Sequence, residues 1–95
     1  MPGTVISDEN WEEFEPVEAK CSVSELIVVL ANGLKLSTPL WWYPPLLAAT
    51  PEARNQIELS PSGVHWPDLD EDLSIEGMLQ GKRYPNAKPP AEAAE

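Results

Sequence analysis

The amino-acid sequence predicts an α+β domain: a small antiparallel sheet of three to five strands with two or three short helices. Three observations point there. The chain has 95 residues, 42% of them hydrophobic, which supports one modest core and no deep two-domain cleft. A β-hairpin signature spans residues 26 to 38, where two apolar runs flank Asn32 and Gly33. Helix-start signals open only short segments: Thr50 with Pro51 and Glu52, and Ser74 ahead of Ile75.

Each element follows from its residues. Residues 1 to 15 hold Asp8, Glu9, Glu12, Glu13 and Glu15 and no base, so they read as a flexible acidic arm. Trp11 and Phe14, three apart, would share a face of a helical turn. They either fold back over the domain's own sheet or anchor in a partner's groove. Pro16 to Ser22 supplies a first strand, joined to the next by a tight turn at Val23 and Ser24. Leu26 to Ala31 and Leu34 to Thr38 then pair across Asn32 and Gly33. A two-residue turn with positive φ at both positions would set Ala31 opposite Leu34, Val29 opposite Leu36 and Ile27 opposite Thr38. Those six side chains would form one apolar face. Leu26, Val28 and Leu30 would lie on the other, beside Lys35 and Ser37, needing cover from the arm, a helix or another chain, which leaves a homodimer open.

Pro39 ends the hairpin because it lacks the donor a continuing ladder needs. Trp41, Trp42 and Tyr43 follow as an aromatic cluster, and residues 46 to 49 read as a helical turn. Thr50 caps a helix running to about Gln56 and packing on one sheet face. Ile57 to Leu59 and Val64 to Trp66 read as two short strands around the turn from Ser60 to Gly63. Pro67 to Asp72 reads as an acidic loop, and Ser74 caps a last helix, Ile75 to Gln80, closed by Gly81. The single α+β domain therefore spans residues 16 to 81. Residues 82 to 95, rich in proline and alanine, read as a disordered tail.

Charge and cysteine content narrow the chemistry. Sixteen acidic residues against six basic ones give a formal charge of -10. Such a chain repels phosphate backbones and anionic membranes, so a small basic protein partner is expected and direct nucleic-acid or membrane binding is not. Cys21 stands alone and cannot form an internal disulfide, and no leader or 18-residue apolar run appears, so the expected compartment is the cytoplasm. Asp68, Asp70 and Asp72 occupy positions one, three and five of a calcium loop. Leu73 stands at the sixth position in place of glycine, and Leu79 at the twelfth in place of glutamate, so neither metal nor other cofactor is expected. Cys21 or a serine could be activated by His65, the only histidine. The sequence offers no oxyanion loop or glycine elbow to complete that chemistry, so no catalytic residue and no enzyme activity are expected. Trp66 and Leu69 are expected inside, with Asp70 and Glu71 facing solvent.

The second half of the sequence resembles the domain of unknown function 2442 family of small bacterial domains. The resemblance is carried by Asn32-Gly33, Pro39-Leu40, Trp42-Tyr43-Pro44, Leu46-Leu47, Ala49 to Glu52 with Arg54, and the run from Gly63 to Leu79. It covers roughly residues 17 to 81. Pro45 departs from it, standing in place of a basic residue, so any role of that side chain is not carried over. The resemblance implies a small α+β fold and no established reaction. It also implies a gene often encoded beside another short family, the pair being suspected to form a toxin-antitoxin system. Some relatives carry a helix-turn-helix after this domain, an activity not transferred to this chain.

The resulting expectation is a non-catalytic interaction protein, the antitoxin-like partner of a small basic protein. Trp41, Trp42 and Tyr43 would serve as anchors, and His65, Asp68, Asp70, Glu71 and Asp72 as the charged rim. The alternative is a small-molecule or metal-binding regulatory domain with a pocket between Trp42, His65, Trp66 and the aspartates.

Overall fold

The computed structural model describes residues 12 to 89; Trp11, and with it the expected Trp11 and Phe14 pairing, lies outside them. The α+β class holds, with six strands shared between two antiparallel sheets of three. The first sheet contains β1 (Pro16–Cys21), β2 (Glu25–Leu30) and β3 (Lys35–Pro39) in that order. Ser22 makes the first corner: its hydroxyl accepts from the Ser24 and Glu25 amides.

The second corner corrects the expected register. Leu30 donates to Leu34 O at 2.8 Å and Gly33 donates to Leu30 O at 2.9 Å, so the loop holds three residues, Ala31, Asn32 and Gly33. Only Gly33 has positive φ, at 92°, and Asn32 accepts from the Leu34 amide through its side chain at 3.0 Å. A turn continued by one left-handed glycine is the usual three-residue solution. The extra residue moves every pair by one: Leu26 faces Thr38, Val28 faces Leu36 and Val29 faces Lys35. The buried face is consequently Leu26, Val28 and Leu30, while Ile27 and Val29 are half-buried on the outside.

A 3-10 turn (Leu40–Trp42) leads into α1 (Pro44–Leu47) and α2 (Pro51–Arg54). Thr50 caps α2 by accepting from the Ala53 amide. This helix is shorter than expected and buries no side chain of its own. The second sheet holds β4 (Glu58–Ser60), β5 (Gly63–Trp66) and β6 (Glu71–Ser74). The strand β6 lies where composition suggested only an acidic loop. Ser74 then caps α3 (Ile75–Leu79). That helix ends with Gly81 amide on Met78 O at 3.1 Å and Lys82 amide on Gly77 O at 2.9 Å, the paired closure that a left-handed glycine permits.

One core joins the two sheets. Leu26, Val28 and Leu30 pack in the same buried cluster as Val64 and Trp66, closed by Leu40, Tyr43, Leu46, Ile75 and Met78. Phe14 and Tyr84, from the two flanking segments, pack partly against it.

Candidate functional site

The β5 and β6 hairpin decides where the acidic residues go. Trp66 pairs with Glu71 and His65 with Asp72, across a turn in which Leu69 donates to Trp66 O at 3.2 Å. Asp70 takes φ of 52° there, a left-handed conformation that aspartate tolerates better than most side chains. Gly63 opens the strand pair because a Cβ at that position would come within 2.5 Å of Leu73 O.

Strand alternation then separates neighbours in sequence. Trp66 is buried, with its indole N–H on Arg54 O at 2.8 Å, while His65 turns outward and its Nδ1 meets Asp72 Oδ1 at 2.7 Å. Trp66 and His65 thus face opposite sides of the sheet and do not line one pocket together, as the expected site required. Asp68, Asp70 and Asp72 are exposed and Leu69 is half-buried.

Glu71 corrects the expectation of a solvent-facing carboxylate: only 8% of it is exposed. Both of its oxygens lie close to the Tyr84 hydroxyl, at 2.7 and 2.5 Å. A charge can be buried when a strong donor meets it. That hydrogen bond, with burial and the nearby negative charge adding to it, pushes the Tyr84 phenol up to about 12.

Tyr43 is likewise no exposed anchor. It is buried, and neither its hydroxyl nor the buried Thr38 hydroxyl has a hydrogen-bond partner. Burial raises the Tyr43 pKa, and the neighbouring Thr38 hydroxyl partly offsets this although the two fall short of hydrogen-bond geometry. Trp41 and Trp42 are half-buried. Trp42 meets Tyr43 edge to face, with centroids 6.2 Å apart, and the Arg83 guanidinium lies 5.2 Å from the centroid of its ring.

A groove of about 320 Å³ is lined by Tyr43, Glu71, Leu73, Lys82, Arg83 and Tyr84, among others. Of the expected site residues, Tyr43, Glu71 and Asp72 reach it; Trp41, Trp42, His65, Asp68 and Asp70 are not among its walls. Lys82, Arg83 and Tyr84 were hidden in a stretch that composition assigns to a tail. The available signal was the one adjacent pair of basic residues in the sequence, directly after a helix-closing glycine.

Two further residues act structurally. Arg54 donates to Leu46 O, Leu47 O and Ala49 O at 2.9 to 3.0 Å, tying α2 to the backbone at and just past the end of α1. Half-buried Cys21 has its thiol pushed up to about 11 by burial, which the Arg54 charge only partly opposes; at neutral pH it is a thiol and a poor nucleophile. Among the described residues, no group of three or more His, Cys, Asp or Glu side chains is placed to hold a metal ion. No helix there is long and apolar enough to cross a membrane.

Two three-stranded sheets over a common core, with an aromatic and carboxylate groove beside the last helix, define a small α+β domain. Residues 17–84 match the family described as "Protein of unknown function (DUF2442)", and the chain belongs to that family. The match reaches Tyr84, the residue that bonds Glu71. Two solved structures are similar. One is a crystal structure of a protein of unknown function from Rhodospirillum rubrum, 27% identical, with a TM-score of 0.67 over 77% of this chain and 93% of that one. The other is a solution NMR structure of an uncharacterized protein from Chromobacterium violaceum, 29% identical, with a TM-score of 0.65 over 76% and 70%. No curated protein matches the chain.

Proposed function

We propose that this chain is a non-catalytic, cytoplasmic interaction protein, the antitoxin-like partner of a small basic protein. The observation that carries the reading is uncompensated negative charge. Among the described residues the one basic side chain within ion-pair distance of a carboxylate is His65, on Asp72, so Asp68 and Asp70 stand exposed beside it without a cationic partner, in a chain of charge -10. Clustered carboxylates repel one another, and a cationic surface relieves that repulsion. The half-buried Trp41 supplies the apolar contact that charge alone lacks. The absence of enzymatic activity is part of the proposal, supported by the raised Cys21 thiol, a poor nucleophile at neutral pH.

Co-expression with the product of the adjacent gene, followed by stopped-flow association from low to high salt, tests it. Charged rims act mainly on the association rate and are screened by salt. The Asp68→Asn, Asp70→Asn double change should slow association at low salt and flatten its salt dependence. An association rate indifferent to both would remove the acidic face from the mechanism.

A further inference from the structure

Arg83 and Tyr84 run along the groove beside α3, and their contacts define what that groove receives. The indole face of Trp42 takes the Arg83 cation, with 5.2 Å from guanidinium carbon to ring centroid. Trp42 O accepts from the Tyr84 amide at 3.1 Å. The buried Glu71 carboxylate accepts from the Tyr84 hydroxyl. Together these make a receptor for a cation followed by a phenol, held on an extended backbone. Residues 82 to 84 supply that pattern from a segment with no helix or strand, and a hollow of about 320 Å³ remains between it and Tyr43 and Leu73. This strap is one side of that hollow: Lys82, Arg83 and Tyr84 line it together with Tyr43, Glu71, Asp72 and Leu73.

We propose that this groove docks a basic-aromatic segment of a protein partner, an arginine or lysine followed by tyrosine, and that Arg83 and Tyr84 occupy it in cis as a competing mimic. Charge complementarity favours a cationic segment, because the charged walls outside the strap are two carboxylates, Glu71 and Asp72, and the cations of the groove, Lys82 and Arg83, belong to the segment that would be displaced. Displacing the strap exchanges one phenol for another on Glu71, so the buried carboxylate is not left unpaired in the product. The inference goes beyond the acidic face: it concerns a different surface, and its test needs no natural partner.

The probe is a synthetic peptide copying residues 82 to 89, added to the full chain. A tethered segment acts at an effective concentration of roughly millimolar order, so wild type should bind the free peptide weakly. The Arg83→Ala, Tyr84→Ala double variant frees the receptor and should bind the peptide on the order of tenfold more tightly, with the Trp42 indole N–H shifting in NMR spectra. Tyr84→Phe keeps the ring and loses only the hydroxyl contact; it should give a smaller gain and guards against a folding defect. Adding Glu71→Gln to the double variant should remove most of the gain. Unchanged peptide affinity in both strap variants, each with a folded amide spectrum, overturns the proposal. So does a concentration-dependent wild-type dimer that is lost in Arg83→Ala, since the occupant would then be a second copy. A silent groove alongside a salt-sensitive acidic face would sink this inference and leave the proposed function standing.

Discussion

The first sheet and the second have the same number of strands but are held in place by different forces. In the first, Leu26, Val28 and Leu30 form a fully buried aliphatic row, and no directional bond from those side chains fixes them. In the second, the inward row adds to the aliphatic Val64 two polar-tipped side chains, Trp66 and Glu71, each tied by a side-chain hydrogen bond, to Arg54 O and to Tyr84 respectively. Aliphatic packing depends on volume and tolerates repacking, whereas a buried polar bond is costly to leave unmade. The contrast explains why the candidate groove lies beside the second sheet: the polar groups there already demand specific partners.

The comparison can be broken most directly at Trp66. Trp66→Ala should destabilise the protein by about 3 to 5 kcal/mol, through lost area and the cavity left behind. Thermal or urea unfolding reads this, and a wild-type melting temperature would place Trp66 outside the core. Next is Gly63→Ala, whose methyl would meet Leu73 O at 2.5 Å. The strands must move apart, at a cost of about 2 kcal/mol, and amide exchange should quicken in β5 and β6 before it does in the first sheet.

Tyr84→Phe sharpens the contrast at lower cost. Losing the hydroxyl bond to Glu71 should destabilise by about 1 to 2 kcal/mol at neutral pH. It also has a pH signature. The folded phenol is raised from 10 to about 12, so the native state holds this proton more tightly than the unfolded chain does. The stability it confers is fully present below pH 10 and is lost as pH rises towards about 12. Urea titrations across that window should show a shallower decline for Tyr84→Phe than for wild type. Equal slopes would detach Tyr84 from Glu71. The smallest effect belongs to the first sheet. Gly33→Ala meets no neighbour within 4 Å but must hold φ near 92°, so it should cost only about 1 kcal/mol, measured by the same unfolding experiment.

Much of this was legible in the residues. The hairpin around Gly33, the caps at Thr50 and Ser74 and the closing Gly81 each reflect a local rule, a turn or a cap satisfied by side chains a few positions away. The hairpin's register was not local. The same Asn32-Gly33 pair fits a two- or a three-residue loop, and the choice reverses every side chain. It was settled by which aliphatic row, that of Val28 or that of Val29, could meet Val64 and Trp66 in the core.

The candidate site shows the same division. The acidic run and the aromatic cluster are visible in sequence as residue types, but pairing Glu71 with Trp66 sends it inward, while His65 and Asp72 turn outward. The partner that makes Glu71 tolerable inside comes from Tyr84, thirteen residues on, in a stretch whose composition gives no hint of packing.

By itself, then, the sequence determined the α+β class, the positions of its turns and caps, and its excess of negative charge, because each depends on a few neighbouring residues or on simple composition. Only the tertiary structure decided which hairpin face is buried, which carboxylate leaves solvent and which cation reaches Trp42. Those outcomes depend on how strand register and the path of the chain after α3 bring distant residues together, and contacts between distant residues are set by the packing of the whole core.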